Sequence, residues 1–237
     1  MKELRVLGPN DIGKGILIEE DAGYVSPQHK LNEALIKEAQ MTDWKKPFEF
    51  YAVLQKYNTP NRNGRFYPEP ILKREAEKYK TAIKKGLSTS ELNHPESSLI
   101  DLDRVSHMIT DIWWEGNILM GKLKLLTSPG FHESGIVSTK GDIAANLMRQ
   151  GVTMGISSRG VGSLKKVGER NEVQDDFELI CFDLVSSPST PGAYLFNNPE
   201  DRLKYEENIE EEKKPKVEYE QNKSIDLMRK LTDYLNK

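Results

Sequence analysis

A mainly β body with a few peripheral helices (α+β) is the fold class this sequence predicts, and three observations carry it. Two β-rich runs meet at a Glu-Gly-Asn turn within residues 104–126, two more flank a Gly-Glu-Arg-Asn turn at 168–171, and helical periodicity is confined to short stretches. Regular strand–helix–strand alternation is missing, which argues against a doubly wound parallel sheet. A chain of 237 residues can bury one sizeable core without requiring a second.

Residues 1–46 mix short apolar runs such as ILIEE with polar, turn-forming stretches and a helical pattern at 31–40, and read as an N-terminal extension or leading strand. FEFYAVLQ at 48–55 is rich in aromatic and β-favouring residues and reads as a strand, which the turn-rich NTPNRNGRFYP then breaks. Over 70–85, Ile71, Leu72, Ala76, Tyr79 and Ile83 recur at near-helical spacing, with proline at the start and Gly86 just after. That spacing predicts a helix.

The polar segment LSTSELNHPESS leads into the hairpin of 104–126, and GDIAANLMRQG at 141–151 predicts a short helix opened by Asp142 and stopped by Gly151. TMGISSRGVGSLKKV and VQDDFELICFDLVSSP supply the last two long strands. Beyond about Asn198 the chain becomes charge-dense, then recovers an apolar stripe through Ile225, Met228, Leu231 and Leu235. Three regions result: an N-terminal extension (1–46), a body (47–197), and a charged linker with a C-terminal amphipathic helix (198–237).

The net charge of −3 gives no broad electrostatic reason to expect nucleic acid or an anionic membrane as partner. The single cysteine, Cys181, excludes an intrachain disulfide framework and fits a reducing, intracellular compartment. The sequence has neither a signal-peptide core nor an apolar run of membrane-spanning length, so a soluble protein is expected.

Four histidines are present. His94 lies in a polar, proline-containing loop, where binding or catalysis is plausible. His107 alternates with Val105 and Ile109 and reads as a framework histidine, while His29 and His132 read as surface-loop residues. No two histidines have ligand spacing and Cys181 stands alone, so neither a metal nor another cofactor is expected.

In MGISSRGVGS, Ser157 and Ser158 stand between small residues that let backbone approach a ligand, and an extended strand points them to opposite faces. A glycine-rich strand with hydroxyls bonded to neighbours is the plain alternative. Asp183 interrupts an apolar run from Leu179 to Val185, and a buried carboxylate requires a partner. A histidine that also faces a serine would complete a triad, whereas Arg104 or Arg159 would make a purely structural pair. Cys181 should share the Asp183 face as an inert buried thiol.

Together, ELNHP at 91–95, MGISSRGVGS at 154–163 and the Asp183 strand ending in SSPSTPGA at 186–193 resemble the prohead core proteases of T-even-type tailed phages. NRNGRFYP, ILKREAEKY, DIWWEGN and AANLMRQG follow that family's pattern in order, and the resemblance covers roughly residues 47–195. Neither the first 46 residues nor the charged tail takes part. These phage enzymes are similar to the herpesvirus assembly proteases, which implies a closed antiparallel β-barrel wrapped by helices and suggests a homodimer.

The resemblance implies a serine endopeptidase with His94 as general base, Ser157 as nucleophile and Asp183 as third member, Ser158 being the fallback. The herpesvirus relatives use a second histidine in the third position; this chain has none after His132, which is consistent with an acid. The implied substrates are scaffold, capsid and other head proteins, cut after glutamate in a hydrophobic-x-Glu context, inside the prohead in the host bacterial cytoplasm. Ile209-Glu210-Glu211 is a weak match for self-cleavage. The rival reading is a catalytically silent head-assembly or scaffold protein that uses the barrel as an interaction module. An α/β-hydrolase esterase fits poorly, because the Gly-x-Ser-x-Gly elbow is absent around Ser157.

Overall fold

Alternating apolar side chains and glycine-bearing turns organise the computed structural model, which describes residues 5–8, 11–19, 48–168 and 170–202. All of these lie within one compact unit that runs to Arg202. The expected helix at 31–40, His29, Ile209-Glu210-Glu211 and the C-terminal helix fall outside the described residues.

The strands are β1 (Val6–Leu7), β2 (Gly13–Ile18), β3 (Glu49–Lys56), β4 (Arg65–Phe66), β5 (Thr89–Glu91), β6 (Val105–Glu115), β7 (Ile118–Leu125), β8 (Gly155–Val167), β9 (Arg170–Val173), β10 (Glu178–Val185) and β11 (Leu195–Phe196). Among the described residues three α-helices accompany them: α1 (Glu69–Lys84), α2 (Pro129–Ser134) and α3 (Lys140–Arg149).

The sequence-predicted hairpins form as β6–β7 and β8–β9. Gly116 and Gly168 adopt φ 60° and 63° at the turns, a left-handed conformation that glycine takes without strain. Helix α1 starts with a proline in its first turn and ends just before Gly86 at φ 70°, burying Ile71, Leu72, Ala76 and Tyr79. Helix α3 is capped by Thr139 rather than by Asp142. Asp142 sits at the third helical position and closes a capping box with Thr139.

The mainly β prediction holds, but the closed barrel does not. One sheet runs β1-β2-β8-β9-β4 with β10 also on β8, the other runs β11-β3-β7-β6-β5, and neither closes on itself among the described residues. The sheets touch through isolated bridges, Leu92 with Leu184 and Gly155 with Tyr194. The ladder cannot continue at these seams because β5 has three residues and β11 two, and Asn93 at φ 66° turns the chain away after a single bridge.

The larger core packs α1 and α3 against the five-stranded sheet and β10, with Leu54, Tyr79, Ile109, Leu123, Ile156 and Phe182 at its centre. Tyr79 meets Phe182 edge-on at 5.2 Å. A second cluster, including Leu7, Leu17, Tyr67, Leu72 and Phe177, fastens β1 and β2 to the body. The leading strand of the N-terminal region is thus hydrogen bonded to β8.

Candidate active site

Strand pairing brings Ser157 and Asp183 together and a loop carries His94 to Asp183, but no hydrogen bond joins His94 Nε2 to Ser157. β10 runs antiparallel to β8 with Asp183 opposite Ser157 and Cys181 opposite Arg159, so these four side chains share one face. Ser158 faces the other way and accepts a hydrogen bond from Gln55 Nε2 at 3.0 Å. His94 arrives from the loop after β5, where the Asn93 N–H donates to the Leu184 carbonyl at 2.8 Å and pins the turn.

His94 Nδ1 lies 2.7 Å from Asp183 Oδ2. An ionised carboxylate only accepts, so Nδ1 carries the proton and Nε2 is left as the basic nitrogen. The His94 side chain is 2% exposed, and its Nε2 has no hydrogen-bond partner.

Asp183 is fully buried yet well supplied: the Glu91 N–H donates at 2.8 Å and Arg159 Nε stands 2.8 Å away. Burial alone would raise its pKa, but the His94 hydrogen bond, then Arg159 and the Glu91 N–H, hold it below the usual carboxylate range. Both partners considered from sequence, a histidine and Arg159, are therefore present. Arg104 instead pairs with Glu91 at 3.0 Å. Glu91 also meets Arg159 at 3.2 Å, tying the two buried acids to one guanidinium.

The Cys181 thiol is pushed far up by burial and by the Asp183 charge, which suppresses the thiolate. His107 bonds Ser106 Oγ at 2.9 Å and the Phe182 carbonyl at 2.8 Å, and burial lowers its pKa to about 4, so it is a neutral framework residue. His132 lies on α2 and bonds Thr127 Oγ1 at 2.6 Å. No group of three metal-ligating side chains occurs among the described residues.

Sequence reasoning missed Glu19. Ser157 Oγ donates to the Glu19 carbonyl, and the Ser189 N–H donates to the same oxygen at 2.8 Å. The Glu19 carboxylate is fully buried and accepts from Asn61 at 2.5 Å, Asn63 at 3.1 Å, Arg65 at 2.9 Å, Tyr67 at 2.6 Å and Ser189 Oγ at 2.8 Å. A signal for these partners existed in NRNGRFYP, where polar donors occupy every second position from 61 to 67. Of the two segments beside Ser157 that could offer backbone N–H groups to an oxyanion, Arg159-Gly160 is paired on both sides with β2 and β10, whereas SSPSTPGA supplies the Ser189 N–H.

Comparison with known proteins adds three findings. The family model described as prohead core protein serine protease matches residues 8–202. The prohead core protein protease of Enterobacteria phage T4 is 36% identical over 140 residues, 57% of this chain, which matches only 61% of that relative's length. The solved bacteriophage T4 capsid assembly protease superposes with a TM-score of 0.57 at 23% identity, covering 76% of this chain and all of that one, and shares its fold.

Proposed function

From the premise that this chain belongs to the prohead core protein serine protease family, we propose that it is a serine endopeptidase that trims capsid and scaffold proteins inside a phage prohead. The names of the T4 relatives, a prohead core protein protease and a capsid assembly protease, support head proteins as substrates. The observation that carries the reading is the buried His94–Asp183 pair with Nε2 unpartnered, beside a strand that presents Ser157 on the Asp183 face.

In the proposed mechanism Asp183 fixes the His94 tautomer, and Nε2 takes the Ser157 proton as Oγ attacks the peptide carbonyl. His94 returns the proton to the leaving amine, and water then resolves the acyl-enzyme by the same route. The Ser189 N–H is suited to stabilise the tetrahedral oxyanion, since it already donates to a carbonyl that accepts from Ser157. Cleavage after glutamate and self-cleavage belong to the same reading.

Ser157→Ala tests it. The expected result is that cleavage of purified capsid protein falls by roughly 10⁴-fold or more while the fold is kept. Parental cleavage by the variant would refute the assignment. A serine-directed fluorophosphonate should label the parent and not the variant, and an unlabelled parent would favour a silent assembly module.

A further inference from the structure

We infer that residues 13–19 lie in the active site as the enzyme's own substrate strand, that the peptide bond after Glu19 is cleaved by Ser157, and that Asn61, Asn63, Arg65, Tyr67 and Ser189 form the pocket that selects glutamate. The inference rests on Ser157 as the nucleophile and names the substrate of that same site.

Two independent sets of contacts converge on Glu19. Its carboxylate accepts from five side-chain donors among the described residues, three on one oxygen and two on the other, so both oxygens of the single negative charge are covered. A buried acid is costly, and an apolar residue would fill the space more cheaply if packing were the only need. Its main-chain carbonyl accepts from the Ser157 hydroxyl and the Ser189 N–H together, which sets nucleophile and oxyanion donor at one carbonyl; attack follows when the Ser157 proton turns from that oxygen to His94 Nε2. A purely structural acid has no reason to present its carbonyl to the nucleophile.

Delivery is by strand pairing. β2 runs antiparallel along β8 and the ladder ends with Ile18 opposite Arg159, one residue before Glu19, whose main-chain carbonyl accepts from Ser157 Oγ. Ile16 and Leu17 are buried behind it, and Arg65 Nη1 holds the Ile18 carbonyl at 2.7 Å. This is how an extended peptide is read: backbone first, one side chain in a pocket.

The step balances with water as the only co-reactant. Ser157 Oγ bonds to the Glu19 carbonyl carbon and its proton passes to His94 Nε2. The bond to the Glu20 nitrogen then breaks as that nitrogen takes the proton. Water hydrolyses the ester, leaving a new α-carboxylate on Glu19, a chain beginning at Glu20 and a regenerated Ser157.

The test is intact-mass analysis and N-terminal sequencing of full-length protein incubated under native conditions. Parent protein is expected to accumulate a chain starting at Glu20, Ser157→Ala to stay whole, and Glu19→Gln to be cut at least about tenfold more slowly. A peptide of residues 13–23, with Glu, Gln or Asp in place of Glu19 and added to the self-cleaved enzyme, reads the pocket without altering the protein; Glu should lead by about tenfold or more. Equal rates for the three peptides overturn the pocket. If the parent cuts capsid protein while its own bond after Glu19 survives, the inference falls and the protease function stands. If it cuts neither, the function falls too.

Discussion

Asp183 is enclosed by His94, Arg159, Cys181 and the Glu91 amide, so the acid proposed to orient His94 also neutralises a buried guanidinium. Asp183→Ala would leave Arg159 and His94 without that charge in a dry site. The expected cost is about 3–5 kcal/mol in chemical denaturation, together with loss of cleavage. A variant as stable and active as the parent would remove Asp183 from both roles. Asp142 offers a cleaner titration. Burial opposes its charge, but the amides of Ser128, Ser138 and Thr139 hold its pKa down to about 2. Its folded value lies below an ordinary aspartate's of about 3.9, so its stabilisation is complete above that pH and is lost as pH falls towards the folded value. Asp142→Asn should therefore flatten stability between about pH 4 and 2, seen in denaturation midpoints across that range. Asp183 was legible because a lone acid broke an apolar run. Glu19 was not, because its partners stand 42 to 170 residues away, and the alternation of donors at 61–67 does not say which acid they enclose.

Among the elements, β8 bears the tightest constraint. It pairs with β2 on one edge and with β10 and β9 on the other, and Phe177 lies across Gly160 and Gly162. A Cβ on Gly160 would stand 2.4 Å from Phe177 Cε2 and 2.7 Å from the Glu178 carbonyl oxygen. Gly160→Ala is expected to destabilise by about 1–3 kcal/mol, read from thermal or chemical unfolding, and to shift the strand carrying Ser157. An unchanged midpoint would show that Phe177 yields freely. Helix α1 and both hairpins were legible because 3.6-residue periodicity and turn glycines act locally. α2 was missed, since six residues leave too short a pattern to register. The cap of α3 was misplaced by three residues because the capping box uses both Thr139 and Asp142.

At the scale of the whole molecule, the β-rich character could be read from strand-like runs, but barrel closure could not. Closure depends on seams between residues far apart in sequence, such as Leu92 with Leu184, and these seams are single bridges. The same long-range pairing would set the kinetics of the self-processing proposed above. Glu19 is tethered to the body through β2 and held against Ser157 before any encounter, so the proposed cleavage after it is unimolecular. Dilution by about 100-fold should leave the half-life of the bond after Glu19 unchanged while cutting the rate on a separate head protein in proportion. A half-life that lengthens with dilution would mean that one molecule cuts another. A first-order event of this kind runs on a clock set by the chain itself, indifferent to how many copies share the compartment, whereas every later substrate must be met by collision.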